Sequence, residues 1–321
     1  MVPTHSRAFS PPLIVTVVLL GLALIITPRL PTAPGGASAS GGAGTAEPTG
    51  FAEDSPGATA SITPAATVLL AVGDIGYCDG SADERVGELA AGLPGTIALL
   101  GDNAYPKGSL DDYANCFDPG WGALRDRLRP APGNHEYETR GAAGYFSYFG
   151  DGAGDPAEGW YSYDLGEWHL IALNSECDAI GGCGAGSAEL AWLVADLSAH
   201  PATCTLAYWH HPRYSSGRHG TDDMTEALWQ ALAAADADVV LSGHDHDYER
   251  ISPINGIRSF VVGTGGRSLY AWPGSPLAQT EVRANDTYGL LELTLGATDY
   301  AWRFVPASGG SFTDSGEGAC H

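Results

Sequence analysis

Positive charge is what this 321-residue chain has least of. It carries one lysine, Lys107, and only 15 Lys and Arg against 38 Asp and Glu, a formal net charge of −23. A protein that grips a phosphate backbone needs clustered Lys and Arg, so no nucleic-acid binding surface is expected. The acidity favours solubility and says little about fold. No Cys-x-x-Cys occurs, which argues against a zinc ribbon. No Gly-x-Gly-x-x-Gly follows the first apolar strand, so a dinucleotide binder is not supported. A Gly-x-Ser-x-Gly elbow and a Ser-His-Asp set of known order are also missing, which removes the usual serine hydrolase.

The first 65 or so residues do not read as a folded domain. Pro12 to Thr27 is a nearly unbroken apolar run preceded by His5 and Arg7. It falls short of the roughly 20 residues a membrane-spanning helix needs and suits the apolar core of an export signal. Ala37-Ser38-Ala39 offers a cleavage site, though far downstream, and an uncleaved anchor is the competing reading. The expected organisation is a signal peptide or membrane anchor over residues 1–30, with a possible tether through 12–27. A Pro/Gly/Ala/Ser/Thr linker follows over 31–66, too poor in large apolar side chains to fold, and then one domain over 67–321. The expected location is secreted or cell-surface. Six cysteines in an exported chain suggest disulfides. Cys177 and Cys183 are close enough to close a small loop, and the pairing of the other four is open.

Within the domain, Val68–Val72 and Thr96–Leu100 read as buried strands by length and β-branching. Between them, Ser81 and Glu84 form a capping box for a helix, so the two strands run parallel with a right-handed crossover. Residues 111–127 suggest irregular helical turns, and the aromatics of 143–150 look surface-like. Trp160–Leu165 and Trp168–Asn174 flank Gly166-Glu167 as a hairpin. Ser187 opens a helix with Leu190, Leu193, Val194 and Leu197 on one face. Strands are expected at Thr203–Trp209, Val239–Leu241, Ile257–Val262, Tyr288–Leu295 and Tyr300–Val305, with another helix from Asp223 and Glu226. Two halves of mixed β and α character imply an α/β fold, a four-layer α/β/β/α sandwich of two mixed sheets.

Five short clusters follow apolar strands: Gly73-Asp74-Ile75-Gly76, Gly101-Asp102-Asn103-Ala104-Tyr105, Gly133-Asn134-His135-Glu136, His210-His211-Pro212 and Gly243-His244-Asp245-His246. Strand C-termini of an α/β sheet share one crevice, so these tips converge there. They bring hard carboxylates, an amide oxygen and imidazoles, a mixed oxygen and nitrogen set suited to two metal ions. A carboxylate can bridge two cations roughly 3.5–4 Å apart. Each cluster alone is weak evidence, since an isolated Gly-Asp is usually a turn; their joint occurrence carries the weight. His210 is preferred over His211, because neighbours in extended chain point opposite ways.

The order Asp-x-Gly, Gly-Asp-x-x-Tyr, Gly-Asn-His-Glu, a strand-end His and Gly-His-x-His resembles the calcineurin-like metallophosphoesterase superfamily. Tyr105 and the Tyr248-Glu249-Arg250 tail resemble its purple acid phosphatase branch. The likeness spans roughly Val68 to Val262, with one departure: Ala207 stands where a β-branched residue is usual. The resemblance implies one metal held by Asp74, Asp102, Tyr105 and His246, and a second held by Asp102, Asn134, His210 and His244, with Asp102 as the bridge. A phenolate at Tyr105 implies Fe(III) there, with Fe(II), Zn(II) or Mn(II) at the other position. Five cationic charges less two carboxylates, a phenolate and a hydroxide leave a net positive centre for an anionic substrate. The resemblance further implies hydrolysis of a phosphate ester by metal-bound hydroxide, with His135 binding a phosphate oxygen and His219 as general acid. Arg213 and Arg218 lie near the site in sequence. A phosphomonoesterase is the main expectation. A phosphodiesterase or nucleotidase on the same centre is the alternative, and a metal-bearing binding protein without catalysis is the reading from another class.

Overall fold

A computed structural model of the chain describes residues 67–321. The expected leader or anchor (1–30) and linker (31–66) lie outside the described residues. Among the described residues no helix is long and apolar enough to cross a membrane.

Among the described residues thirteen strands follow in chain order: β1 (Thr67–Val72), β2 (Thr96–Leu100), β3 (Leu128–Ala131), β4 (Tyr161–Leu165), β5 (Trp168–Ala172), β6 (Cys204–Tyr208), β7 (Val239–Ser242), β8 (Tyr248–Ile254), β9 (Ile257–Val262), β10 (Thr280–Ala284), β11 (Gly289–Leu295), β12 (Asp299–Pro306) and β13 (Ser315–Ala319). They form two mixed sheets, ordered β13-β12-β11-β1-β2-β3 and β10-β8-β9-β7-β6-β5-β4. β1, β2 and β3 are mutually parallel, as are β5, β6, β7 and β9. The crossover expected between β1 and β2 is made by the helix Ala82–Gly92, and the β4–β5 hairpin is antiparallel.

Side-chain alternation sorts these strands into layers. Leu69, Ala71, Ala98 and Leu100 of one sheet meet Leu170, Leu206, Tyr208, Val239 and Leu241 of the other in a central core. Their neighbours Leu70, Val72, Ile97 and Leu99 face outward under Val86, Phe117, Trp121 and Tyr145. On the opposite side, Ile171, Ala207, Trp209 and Val240 pack under Leu193, Leu228, Trp229 and Leu232. Strands covered on both faces are apolar throughout, which is why the runs are unbroken. The result is the expected four-layer sandwich. Burying each large apolar side chain contributes ~1.5–3 kcal/mol.

Three local expectations differ. Ser81 precedes the helix Ala82–Gly92 but makes no side-chain cap; its Oγ instead accepts from Arg85 Nη1 at 2.9 Å. Residues Ala143–Phe149 form a helix rather than an aromatic surface. Tyr145 is fully buried there because its hydroxyl reaches the Pro130 carbonyl at 3.0 Å. In the helix Ala188–Ala199 the buried stripe is Glu189, Leu193 and Asp196, while Val194 is exposed. Both acids are held by partners beneath: Glu189 accepts from the Asn174 N–H, and Asp196 from Ser162 Oγ. Of the expected face, Leu193 is buried and Leu190 and Leu197 pack against the same core, so only Val194 departs from it.

The six cysteines pair as Cys78–Cys116, Cys177–Cys183 and Cys204–Cys320. The last ties the C-terminal strand β13 back to β6.

Candidate metal centre

The predicted residues emerge just past the C-terminal ends of β1, β2 and β3 in one sheet and β6 and β7 in the other. At Asp74, Asp102 and His244 the backbone leaves in the left-handed region, with φ of 60°, 51° and 69°. Non-glycine residues rarely sit there, and such strain clusters where a side chain must be aimed. Gly133 shows how tightly the tips approach one another: a Cβ there would lie 2.3 Å from Asp102 Oδ1.

Two groups of donors meet across one carboxylate. The Tyr105 hydroxyl lies 2.9 Å from both Asp74 Oδ1 and Asp102 Oδ2, and 3.2 Å from His246 Nε2. His246 Nε2 is 3.3 Å from Asp74 Oδ1. On the other side, His210 Nε2 is 3.2 Å from Asn134 Oδ1, 3.4 Å from Asp102 Oδ1 and 3.2 Å from His244 Nδ1. Asp102 thus turns one oxygen to each group. The structure brings all seven expected ligand side chains together.

The donor set suits cations. The Nδ1–H of His210 donates to the Leu100 carbonyl and that of His246 to the Ser268 carbonyl, both at 2.8 Å. A carbonyl only accepts, so these bonds hold each ring with its Nε2 lone pair turned inward. There it meets carboxylate and amide oxygens that also offer lone pairs. Such a convergence requires positive charge at its centre. Protonation shifts express the same demand. Burial disfavours a charged His210, yet the Asp102 carboxylate pushes it up to about 10. Burial opposes the Asp102 anion too, but His210 holds it well below the usual carboxylate range. Burial, then the Asp102 and Asp74 charges, raise the Tyr105 phenol; a cation held there would reverse that logic.

Around the donors stand residues that hold them. Glu136 is fully buried and accepts from the backbone N–H of Asp102 (2.9 Å), Asn103 (3.0 Å) and Gly133 (2.8 Å). It therefore locks the second and third clusters together. Asp245, the residue between the paired histidines, points away from them. It accepts from Ser215 Oγ at 2.6 Å and from the N–H of His219 at 2.6 Å and Gly220 at 3.1 Å. Both acids stand inside the sequence motifs, and an acid amid glycine-rich turns is the signal that marks them.

His135 donates its N–H to Asp102 Oδ1 at 2.9 Å and tilts its ring 4.4 Å from that of Tyr105. The His219 ring lies 4.2 Å from that of His244. Arg213 turns away into ion pairs with Asp223 and Glu226, whereas Arg218 lies over Tyr270. Tyr270 stacks on His246 at 4.0 Å, and Arg267 covers Tyr105 at 5.3 Å. Neither was legible, since both lie in a segment without motif. His211 corrects an expectation. It does not point away from His210: one ring nitrogen each of His210, His211 and His244 lie within 4.8 Å of one another. β6 ends at Tyr208, so strict strand alternation no longer applies at the histidine pair.

Residues 67–248 match the calcineurin-like phosphoesterase family. The chain belongs to that family. Among its relatives are purple acid phosphatase 15 of Arabidopsis thaliana, 25% identical over 62% of this chain and 44% of the relative, and human acid phosphatase type 7, 27% identical over 65% and 52%. The chain spans about half the length of the curated relatives it matches. In fold, this phosphoesterase resembles the purple acid phosphatase PPD1 from yellow lupin seeds. The TM-score is 0.63 at 18% identity, covering 79% of this chain and 53% of the other. GAP50, the anchor in the inner membrane complex of Plasmodium, has the same TM-score at 17% identity, with 77% and 87% covered.

Proposed function

We propose that this phosphoesterase is a dinuclear-metal hydrolase of the acid phosphatase type, acting on phosphomonoesters outside the cytoplasm. The observation that carries this reading is Asp102, whose two carboxylate oxygens face two separate donor groups. Asp74, Asp102, Tyr105 and His246 would hold one ion, and Asp102, Asn134, His210 and His244 the other. The phenol of Tyr105 suits Fe(III), and the imidazole-rich partner position suits Fe(II), Zn(II) or Mn(II). When bound, the ions draw charge from phosphoryl oxygens and make hydroxide available near neutral pH for attack at phosphorus.

The chain's own residues supply the rest. His135, fixed through its backbone to Asp102, reaches a phosphoryl oxygen as charge develops there. His219, held by its N–H to Asp245, gives a proton to the departing alkoxide. Burial, offset in part by Asp245, draws His219 below the ordinary histidine value, so its protonated form belongs to acidic solution. Arg267 and Arg218 add positive charge near the centre in a protein whose net charge is −23. Three disulfides favour an oxidising location.

Hydrolysis of an aryl phosphomonoester and its matching diester by the purified chain tests this, with Asp102→Asn as control. Monoester turnover that the control abolishes is the expected result. Diester turnover alone would move the protein to the phosphodiesterase reading. Two bound metals with neither turnover would make it a metal-bearing binding protein.

A further inference from the structure

The His210-His211 pair places a second imidazole beside the half of the centre that holds His244. The His211 ring centroid is 5.1 Å from that of His210 and 4.3 Å from that of His244. One nitrogen of each ring falls within a common 4.8 Å. His211 Nδ1 is already engaged, 3.1 Å from Ser175 Oγ and 3.2 Å from Glu176 Oε1. Its backbone N–H also donates to Ser175 Oγ at 3.0 Å. The ring is thus fastened along one edge by the loop that follows β5, and the Cys177–Cys183 disulfide closes that loop. Glu176 Oε1 is buried and has no hydrogen bond of its own among the described residues. That is a costly state unless it has a cationic or N–H partner, and His211 Nδ1 lies 3.2 Å away.

A contrast sharpens the point. His169, Asp196 and His200 also cluster, but both His169 nitrogens are already paired with Asp164 and Asp196 at 2.9 and 2.8 Å. That trio is a closed set of hydrogen bonds. At His211 only Nδ1 is engaged among the described residues; with its proton on Nδ1 toward Glu176, the ring keeps the Nε2 lone pair for a cation.

We infer that His211 is a further nitrogen ligand of the second metal position, with Glu176 as the carboxylate that orients it. This rests on the reading that Asp102, Asn134, His210 and His244 hold that ion. A carboxylate–histidine–metal chain fixes the ring tautomer and raises the basicity of the donating nitrogen, and loss of such an outer partner costs 10–100-fold in metal affinity. Three imidazoles at one position also set its selectivity. Imidazole favours Zn(II) over Mn(II) more than oxygen donors do, so His211 biases the second position toward Zn(II).

The test is metal binding rather than turnover. The full chain is stripped of metal, and the Zn(II) and Mn(II) dissociation constants of the second position are measured by competition against a chromophoric chelator. Wild type is compared with His211→Gln, Glu176→Gln and His210→Gln, and circular dichroism reports the fold of each. The expected result is a second Zn(II) site weakened at least tenfold in His211→Gln and about 10–100-fold in Glu176→Gln, with a reduced Zn(II)-over-Mn(II) preference in His211→Gln. Unchanged affinity in both, while His210→Gln loses the ion, would overturn the role of His211 and leave the two-ion reading standing. An ion retained in His210→Gln would overturn both. If His211→Gln does not fold, Glu176→Gln decides alone, because it keeps the side-chain shape and removes only the charge.

Discussion

The Glu136 carboxylate joins two strand tips: Oε2 accepts from the N–H of Asp102 at 2.9 Å and from the N–H of Gly133 at 2.8 Å. The bridging candidate and the turn before Asn134 thus share one buried anchor, which also takes the Tyr113 hydroxyl at 3.2 Å. Glu136→Gln replaces an acceptor oxygen with an amide that meets N–H groups. An unsatisfied buried donor costs ~1–3 kcal/mol. The expected outcome is a destabilisation of that order and weakened binding of both ions, since Asp102 touches both donor groups. Denaturant unfolding and metal content of Glu136→Gln check it.

Tyr105 can be probed by colour. Its hydroxyl touches Asp74 and Asp102 at 2.9 Å each, and its ring is almost wholly buried. Tyr105→Phe removes one oxygen and keeps the packing. If the phenolate binds Fe(III), the wild-type protein absorbs visible light by charge transfer and Tyr105→Phe loaded with iron does not. An unaltered visible spectrum in the variant would remove Tyr105 from the donor set and shift the expected metals toward Mn or Zn.

Much of this site was readable because its residues sit at the ends of strands that are apolar on both faces. Val68–Val72 and Thr96–Leu100 announce themselves by composition, and the residues after them must then lie in the shared crevice. What escaped depended on contacts across the fold. β3 reads Leu-Arg-Pro-Ala, too short and proline-bearing for a strand pattern, and it is tolerated because it is the edge of its sheet. β13 reads Ser-Gly-Glu-Gly-Ala and has no strand propensity; pairing with β12 and the Cys204–Cys320 bond hold it. Tyr270 and Arg267 come to the site only because the chain leaves β9 there, and no local signal marks that return.

Asp245 and His219 form a positioning pair that kinetics can separate from metal binding. Asp245 accepts from Ser215 Oγ and from two successive backbone N–H groups of the His219 loop. Asp245→Asn keeps the shape, loses the charge and leaves at least one donor without an acceptor. The loop should loosen while His244 and His246 keep their ions. The expected outcome is a kcat lowered about tenfold, the factor that ~1.4 kcal/mol represents, with metal content at wild-type level. Loss of metal in parallel with activity would instead make Asp245 part of the scaffold of the centre.

Glu189 makes the stability of the domain depend on pH in a direction that can be stated in advance. It is fully buried in the helix Ala188–Ala199, and one oxygen accepts the Asn174 N–H at 2.7 Å while the other has no partner among the described residues. Burial pushes its carboxyl up to about 8 from an ordinary 4.5, against the opposing effect of the Asn174 N–H. The folded state therefore holds a proton that the unfolded state releases near pH 4.5. The stabilisation is complete below that value and is lost as pH rises toward 8. Glu189→Gln keeps the acceptor for Asn174 and removes the titration. Thermal unfolding of the variant should show a flatter decline in Tm between pH 4.5 and 8, with its largest gain over wild type at the alkaline end. Parallel Tm profiles for the two proteins would mean that the Glu189 carboxyl titrates in the folded state much as it does in the unfolded chain.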